Sequence, residues 1–216
     1  MTERLDKIFS VLPSCKTFID VGCDHGYVSL AMLKTGKCER AVFTDVSAAC
    51  LSKAEKLLTK FVNSGKAKGY VTDGFCGLES ENADLALIAG MGGEEIINIL
   101  SAAKNLPEKL CLQPMKNSDK VRAYAKNEGY KAVKDGTFKA GGKFYDLMLF
   151  VRGNDEYTEE EIYFGKDNVK GDNPDFKEKA KKIAESLEKA AQNQNVKEET
   201  KKELFAEAKR WRKYVN

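Results

Sequence analysis

Between Thr17 and Gly129, short apolar runs alternate with segments whose apolar residues recur at helical spacing. Residues 17–22 (Thr-Phe-Ile-Asp-Val-Gly) are an apolar run closed by glycine, the pattern of a buried parallel strand feeding a tight turn. Val28, Ala31, Met32 and Leu33 then predict a helix over 27–35. Residues 40–45 read as a second strand ending at Asp45, and Leu51, Ala54, Leu57, Leu58 and Phe61 predict one helix over 47–63. A third strand over 68–72 is closed by Asp73-Gly74, and a fourth spans 83–89. Ile96, Ile97 and Leu100 mark a helix over 94–103. Residues 110–113 are a fifth strand stopped by Pro114, and 118–127 a helix with Ser118 as N-cap and Gly129 as its stop.

The pattern then changes. Residues 130–138 and 144–152 are strand-like and joined by Lys139-Ala-Gly-Gly-Lys143, which predicts an antiparallel hairpin. Residues 154–174 are polar and broken by Gly165, Gly171 and Pro174, and read as a linker with one helical turn. Residues 175–191 and 197–214 each carry one apolar stripe at spacings of three and four, and the four polar residues 192–195 between them predict a helical hairpin. The expected fold is α/β: a doubly wound, seven-stranded, mostly parallel sheet with an antiparallel hairpin at its edge, followed by a C-terminal helical hairpin. A domain over 1–153 and an appendage over 154–216 follow from the same pattern.

Composition narrows the setting. With 42% hydrophobic and 32% charged residues among 216, the chain has the balance of a water-soluble domain. No apolar stretch approaches the ~18 residues of a membrane span, and no apolar leader opens the chain, so a cytoplasmic protein is expected. The six cysteines (15, 23, 38, 50, 76, 111) form no Cys-x-x-Cys pair and His25 is the single histidine, which argues against a zinc site and for free thiols. The net charge of +3 divides into +4 over 1–154 and −1 over 155–216, where 14 basic face 15 acidic residues; contact with nucleic acid is allowed but not demanded.

The candidate chemistry sits in Asp20-Val-Gly-Cys-Asp-His-Gly26, between the first strand and its helix. The dinucleotide fingerprint needs glycine at 24 and 27, where Asp24 and Tyr27 stand, and a carboxylate there repels a pyrophosphate. An acidic loop suits S-adenosylmethionine, which carries a sulfonium and an ammonium and no phosphate. Asp45, about 20 residues on, suits ribose hydroxyls. Asp73 suits an adenine amino group, and Ala89-Gly-Met-Gly-Gly93 ends the fourth strand. Each also has a plainer role: Gly22 and Gly26 as turn residues, Asp45 and Asp73 as caps, Gly92 and Gly93 as a strand end.

These segments resemble the bacterial tRNA (adenine(22)-N1)-methyltransferase family, TrmK. Arg4-Leu5…Ile8 is similar to its opening Arg-Leu-x-x-Ile, Asp20 to Tyr27 to its Asp-Ile-Gly-Ser-Asp-His-Ala-Tyr, and Ala89–Gly93 and Leu112-Gln-Pro114 match directly. Tyr157-Thr158…Phe164-Gly165 and the tail resemble its C-terminal region. Thr72, Met115 and Val46–Cys50 depart from its pattern. The resemblance implies a Rossmann-like class I catalytic domain with a coiled-coil hairpin that methylates N1 of adenine 22 in tRNA; a monomer with no metal and no membrane contact is expected alongside it. Asp24 and Met91 are then the catalytic candidates. Asp20, Gly22, Cys23, His25, Gly26, Asp45, Val46, Asp73, Gly74, Ala89 and Gly90 are the cofactor-binding candidates. Arg4 (for a tRNA phosphate or to close the cofactor pocket), Tyr27 (for stacking) and Gln113 are candidates for substrate, with Met115 beside them. A methyltransferase acting on a small molecule or protein, or a non-catalytic RNA-binding relative, is the alternative; failure to methylate any tRNA, or to bind the cofactor, distinguishes these.

Overall fold

The computed structural model describes residues 1–215 and is very nearly the α/β architecture that the pattern predicts. In chain order the elements are α1 (Glu3–Val11), β1 (Cys15–Val21), α2 (Tyr27–Lys34), β2 (Cys38–Asp45), α3 (Ala48–Leu57), α4 (Thr59–Asn63), β3 (Ala67–Val71), β4 (Leu85–Met91) and α5 (Gly93–Ala102). They continue as β5 (Lys109–Pro114), α6 (Ser118–Asn127), β6 (Tyr130–Ala140), β7 (Lys143–Arg152), α7 (Glu159–Phe164), α8 (Lys166–Val169), α9 (Pro174–Ala191) and α10 (Glu198–Arg212). The seven strands form one sheet in the order β3-β2-β1-β4-β5-β7-β6. The first five are parallel, and β7 runs antiparallel to both of its neighbours.

Because neighbouring residues of a strand point to opposite faces, the apolar runs feed two cores at once. Phe18, Phe43, Leu85 and Leu87 face α1, α2 and α3. Ile19, Val21, Val42, Ile88 and Leu112 face α5 and α6. A third cluster, built on Phe164, Phe176, Trp211 and Tyr214, joins α9 and α10 to α7.

Four local readings are corrected. The helix α1 has no counterpart in the predicted elements; its Ile8 and Leu12 are buried under the sheet. The predicted helix 47–63 is broken at Leu58 (φ −95°, ψ 9°), where the Thr59 hydroxyl donates to the carbonyls of Glu55 and Lys56. The N-cap of α6 is Asn117 in the left-handed region, not Ser118. The hairpin turn shrinks from five residues to Gly141-Gly142, both with positive φ, as a tight primed turn requires.

The segment read as a linker is instead packed against the sheet. β6 is an edge strand, and its outward N–H groups donate to side chains of the tail: Ala132 to Asp155 (2.9 Å), Asp135 to Asp167 (3.0 Å), Thr137 to Asn168 (3.0 Å) and Lys139 to Asp175 (2.9 Å). The edge is thereby closed to a further strand. Behind it lies Arg122 of α6, fully buried. Its Nε donates to Asp135 at 2.8 Å, its Nη1 to the carbonyls of Ile162 and Tyr163 at the end of α7 (3.2 Å each), and its Nη2 lies 3.6 Å from Asp146. Asp135 also accepts from the Lys166 N–H and from the Tyr157 hydroxyl, and Asp146 from Thr137 and Lys179. Burial pushes the Asp135 carboxyl up in spite of Arg122. The same burial opposes ionisation of Asp146, yet Lys179 and Arg122 hold it well below the usual carboxylate range.

Arg122→Ala leaves the buried Asp135 without its charge partner and two carbonyls at the end of α7 without their donor. Its unfolding free energy in urea is expected to fall by ~3–5 kcal/mol, with a smaller loss in the Arg122→Ala/Asp135→Ala double variant than the two single losses together.

Candidate active site

The strand order reverses between β1 and β4, and ligands of open α/β sheets bind at that switch point, outside the carboxyl ends of the strands. Here the ends of β1 to β4 open into a cleft of about 350 Å³. Asp20 and the loop 22–25, Asp45 and Val46, Thr72 to Gly74, and Ala89 to Met91 all line it. Four segments between Asp20 and Met91 thus converge because their strands are neighbours. Of the sixteen candidate residues, fourteen reach this wall.

The loop after β1 is held from beneath. Asp45 accepts from the Asp24 N–H (3.1 Å) with one oxygen and from the Ser47 N–H (2.9 Å) with the other, so the end of β2 fixes both the loop and the start of α3. The Cys23 N–H donates to the Thr44 carbonyl at 2.9 Å. Asp24 sits in the left-handed region (φ 51°), where Asp is one of the few side chains tolerated, and its carboxylate meets His25 Nδ1 at 2.8 Å. The His25 ring stacks on Tyr27 (centroids 5.8 Å apart, 19° between planes), and the 45% exposed Tyr27 stands at the mouth. Below, Asp20 is buried and accepts from the Ser29 hydroxyl at 2.7 Å. Burial pushes its carboxyl up to about 6 against the pull of that hydrogen bond. Burial, with Asp20 and Asp45 nearby, also pushes the Cys23 thiol far up, so it stays protonated.

Met91 lies across the loop with its methyl against Gly22, where any side chain would collide with it. The Gly92-Gly93 pair turns away from the cleft and interlocks with the end of β5. The Met115 N–H donates to the Met91 carbonyl (2.8 Å) and the Gly93 N–H to the Lys116 carbonyl (3.0 Å). A Cβ on Gly93 would stand 2.5 Å from the Asn117 oxygen and 2.7 Å from that of Lys116.

Two candidates lie elsewhere. Gly26 is the buried N-cap of α2, packed on Ala54 and Leu58, and serves the turn. Gln113 is fully buried behind the wall, its carbonyl bound by Arg4 (2.5 Å) and its amide by the Pro114 carbonyl (3.0 Å). Met115 is 54% exposed next to it. Leu5, Glu95 and Ile99 also line the cleft. Glu95 follows the glycine pair by two residues, a spacing that marks the first turn of a helix aimed at the site; Leu5 and Ile99 carry no such signal. The wall therefore holds five carboxylates (Asp20, Asp24, Asp45, Asp73, Glu95) against Arg4 and His25. That balance favours a cationic ligand, and among the described residues no group of three or more His, Cys, Asp or Glu is placed to hold a metal.

The comparisons point the same way. A methyltransferase-domain family matches residues 1–148. MG248 of Mycoplasma genitalium, a candidate tRNA methyltransferase, is 31% identical over 157 residues, which are 70% of this chain and 70% of that protein. The tRNA (adenine(22)-N(1))-methyltransferase of Bacillus subtilis is 25% identical over 157 residues, 71% of this chain and 66% of its own length. The structure of Streptococcus pneumoniae Sp1610, a candidate tRNA (m1A22) methyltransferase, in complex with S-adenosyl-L-methionine is 25% identical and superimposes over 100% of both chains with a TM-score of 0.88.

Gly93→Ala forces the two interlocked strand ends apart, and an overpacking cost of ~1–3 kcal/mol in unfolding free energy is expected from denaturant titration. An unchanged midpoint would mean that the loops yield freely.

Proposed function

We propose, for a chain that belongs to the methyltransferase-domain family and within it to the tRNA methyltransferases, that it methylates N1 of adenine 22 in tRNA, in the cytoplasm where tRNA is processed. The observation that carries the reading is the convergence of an acidic, glycine-lined loop with three further strand ends in one cleft. The wall fits S-adenosylmethionine: its carboxylates suit a ligand with two cationic centres, and at Gly22 the loop presents backbone beneath the Met91 methyl. When bound, that cofactor supplies a methyl group on a sulfonium, a strong electrophile.

The residues divide the work by position. Asp45 receives the ribose hydroxyls and Asp73-Gly74 the adenine edge, while Val46 and Ala89-Gly90 shape the walls between them. Asp20, Gly22, Cys23 and His25 form the floor and loop around the amino-acid end. Met91 walls the reacting side. Adenine N1 has its own lone pair, so no base is needed to create the nucleophile, and in-line positioning supplies much of the rate. The base is paired or stacked in folded tRNA and must be swung out. The stacked His25–Tyr27 pair offers it an aromatic face at the mouth. Asp24, the exposed carboxylate beside them, orients the exocyclic amino group and stabilises the positive charge that N1 methylation creates.

The helical hairpin supplies the tRNA grip. Its root is fixed beside the β6–β7 turn, at the cleft edge of the sheet, by Lys139–Glu178 (2.7 Å) and Lys179–Asp146 (2.8 Å). Many of its basic residues are spent inside the protein: Arg210 and Lys213 on Glu160, Arg212 on Glu188, Lys182 on Glu178. Lys189, Lys197 and Lys202, at the exposed outer end, make no ion pair among the described residues. Deleting 155–216 would also strip the β6 edge and Arg122 of their partners, so charge reversal is the cleaner probe.

Incubation with labelled S-adenosylmethionine and unmodified tRNA, followed by nucleoside mapping, is expected to place the label at adenine 22; no label in any tRNA would sink the reading. Asp45→Ala, which removes a carboxylate from both ligand and loop, is expected to weaken cofactor affinity ~10- to 100-fold by calorimetry. Lys189→Glu/Lys197→Glu/Lys202→Glu is expected to raise the KM for tRNA and flatten its salt dependence while cofactor affinity stays the same. Equal KM values would remove the hairpin from tRNA binding.

A further inference from the structure

We infer that the cavity enclosed by α1, the β6–β7 edge of the sheet and the turn from α8 into α9 holds a second, unpaired nucleotide of the RNA substrate, its base on an apolar floor and its phosphate among three lysines. This rests on the reading that tRNA is that substrate. The cavity measures about 580 Å³ and shares no lining residue with the cofactor cleft. One helix nevertheless walls both: Arg4 and Leu5 face the cleft, and Lys7, Ser10 and Val11 the cavity. Leu5 and Ser10 stand ~8 Å apart along the axis of α1. The two sites are opposite in charge. The cleft sets five carboxylates against Arg4 and His25, whereas the cavity sets Lys7, Lys134 and Lys170 against Asp167 and Asp172. A nucleotide whose base enters the cleft brings its phosphates up to an acidic wall, and a strand held there needs cations beside it.

Most neutral polar groups of the cavity wall are already spent. The Asn173 amide donates to the Thr137 carbonyl (2.8 Å) and to Asn168 (2.7 Å), and its side-chain carbonyl caps α9 through the N–H groups of Asp175 and Phe176. The Thr137 hydroxyl donates to Asp146 and the Ser10 hydroxyl to the Lys7 carbonyl, each at 2.7 Å. What remains for a ligand is charge. Asp167 is shared: it accepts from the Asp135 N–H at 3.0 Å and lies 3.5 Å from Lys134 and 4.0 Å from Lys170. Lys7 makes no ion pair among the described residues. One partly used carboxylate cannot serve three exposed ammoniums, and a phosphate between them can. Phe138, Leu147 and Val11 offer a flat base an apolar floor, and Asp172, exposed on the rim, is an acceptor for its amino group. A paired base has its edges bonded and its faces stacked, so only a splayed-out nucleotide enters such a recess. The Phe138 ring lies on that of Tyr145 (centroids 5.4 Å apart), which has Arg4 6.0 Å from it, so a single ring separates the cavity floor from the guanidinium at the cleft.

The test measures binding of unmodified tRNA by the full chain over a range of salt concentrations. Lys7→Glu/Lys170→Glu is expected to weaken affinity ~10-fold and to lower the slope of log affinity against log salt by ~0.7, the share of one single-strand phosphate. Lys7→Arg/Lys170→Arg is expected to keep wild-type affinity. Ser10→Trp, which fills the cavity without changing charge, is expected to weaken affinity ~10-fold at an unchanged slope. Affinity for S-adenosylmethionine is expected to stay within about two-fold of wild type in all three, which also shows that they fold. A diffuse pull of the surface on RNA would respond to the glutamates and ignore the tryptophan; that pattern overturns the assignment. A benzophenone side chain at position 10 is expected to cross-link an unpaired nucleotide other than adenine 22, and cross-links confined to stems, or none, overturn it as well. So does binding of free 5′-AMP that tRNA does not displace, which would make the cavity a site for a small nucleotide. None of these readouts needs methyl transfer. A wild type that binds tRNA but leaves it unmethylated strikes the proposed function, whereas methylation at adenine 22 with variants that bind as tightly as wild type strikes this assignment alone.

Discussion

The guanidinium of Arg122 is the constraint on which the two parts of the chain depend. A buried charge is tolerable only where it is paired; Arg122 is, although its Nη2 stands 3.6 Å from Asp146 and makes no hydrogen bond. Those partners come from three places: Asp135 on β6, Asp146 on β7, and the carbonyls that end α7. The catalytic sheet and the helical tail cannot separate without stranding it. The side-chain ladder along β6 acts in the same direction, since backbone donors of the edge strand find their acceptors in the tail. The hairpin is thus tied to the sheet along its β6 edge.

The cleft follows a similar logic at smaller scale. No single strand end makes it; each is fixed by its neighbour. Asp45 ties β2 to the loop after β1, Met91 closes over Gly22, and the loops after β4 and β5 share hydrogen bonds through Gly93. A methyl donor needs little acid–base help and much alignment, so a site assembled from interlocked loops suits the chemistry of this family.

Much of this was legible in the chain. Runs such as Phe18-Ile19-Asp20-Val21 and Leu85–Ile88 announce parallel strands because both faces of the sheet are covered, and the strand-end residues Asp20, Asp45, Asp73 and Gly90 then fall together by topology alone. What escaped has a common cause. The helix α1 holds its place through Ile8 and Leu12 against a sheet assembled from distant residues, and nine residues carry too little periodicity to declare it. Residues 154–174 look like a linker because their partners are backbone N–H groups, which leave no hydrophobic trace. Gln113, a site candidate through the Leu112-Gln-Pro114 match, is buried with its side-chain carbonyl accepting from Arg4, a contact across 109 residues that no local pattern encodes.

The ladder on β6 has a consequence for the birth of the protein. Synthesis runs from the N-terminus, so β6 leaves the ribosome before Asp155, Asp167, Asn168 and Asp175 exist to cover it. For that interval the nascent sheet exposes a row of unpaired donors and an arginine whose carbonyl acceptors have not been made. The catalytic half can assemble its parallel core early, but the order of translation makes the tail the last piece to lock. A chain truncated after β7 carries every residue of the cleft and remains, in the terms of the cell's quality control, unfinished.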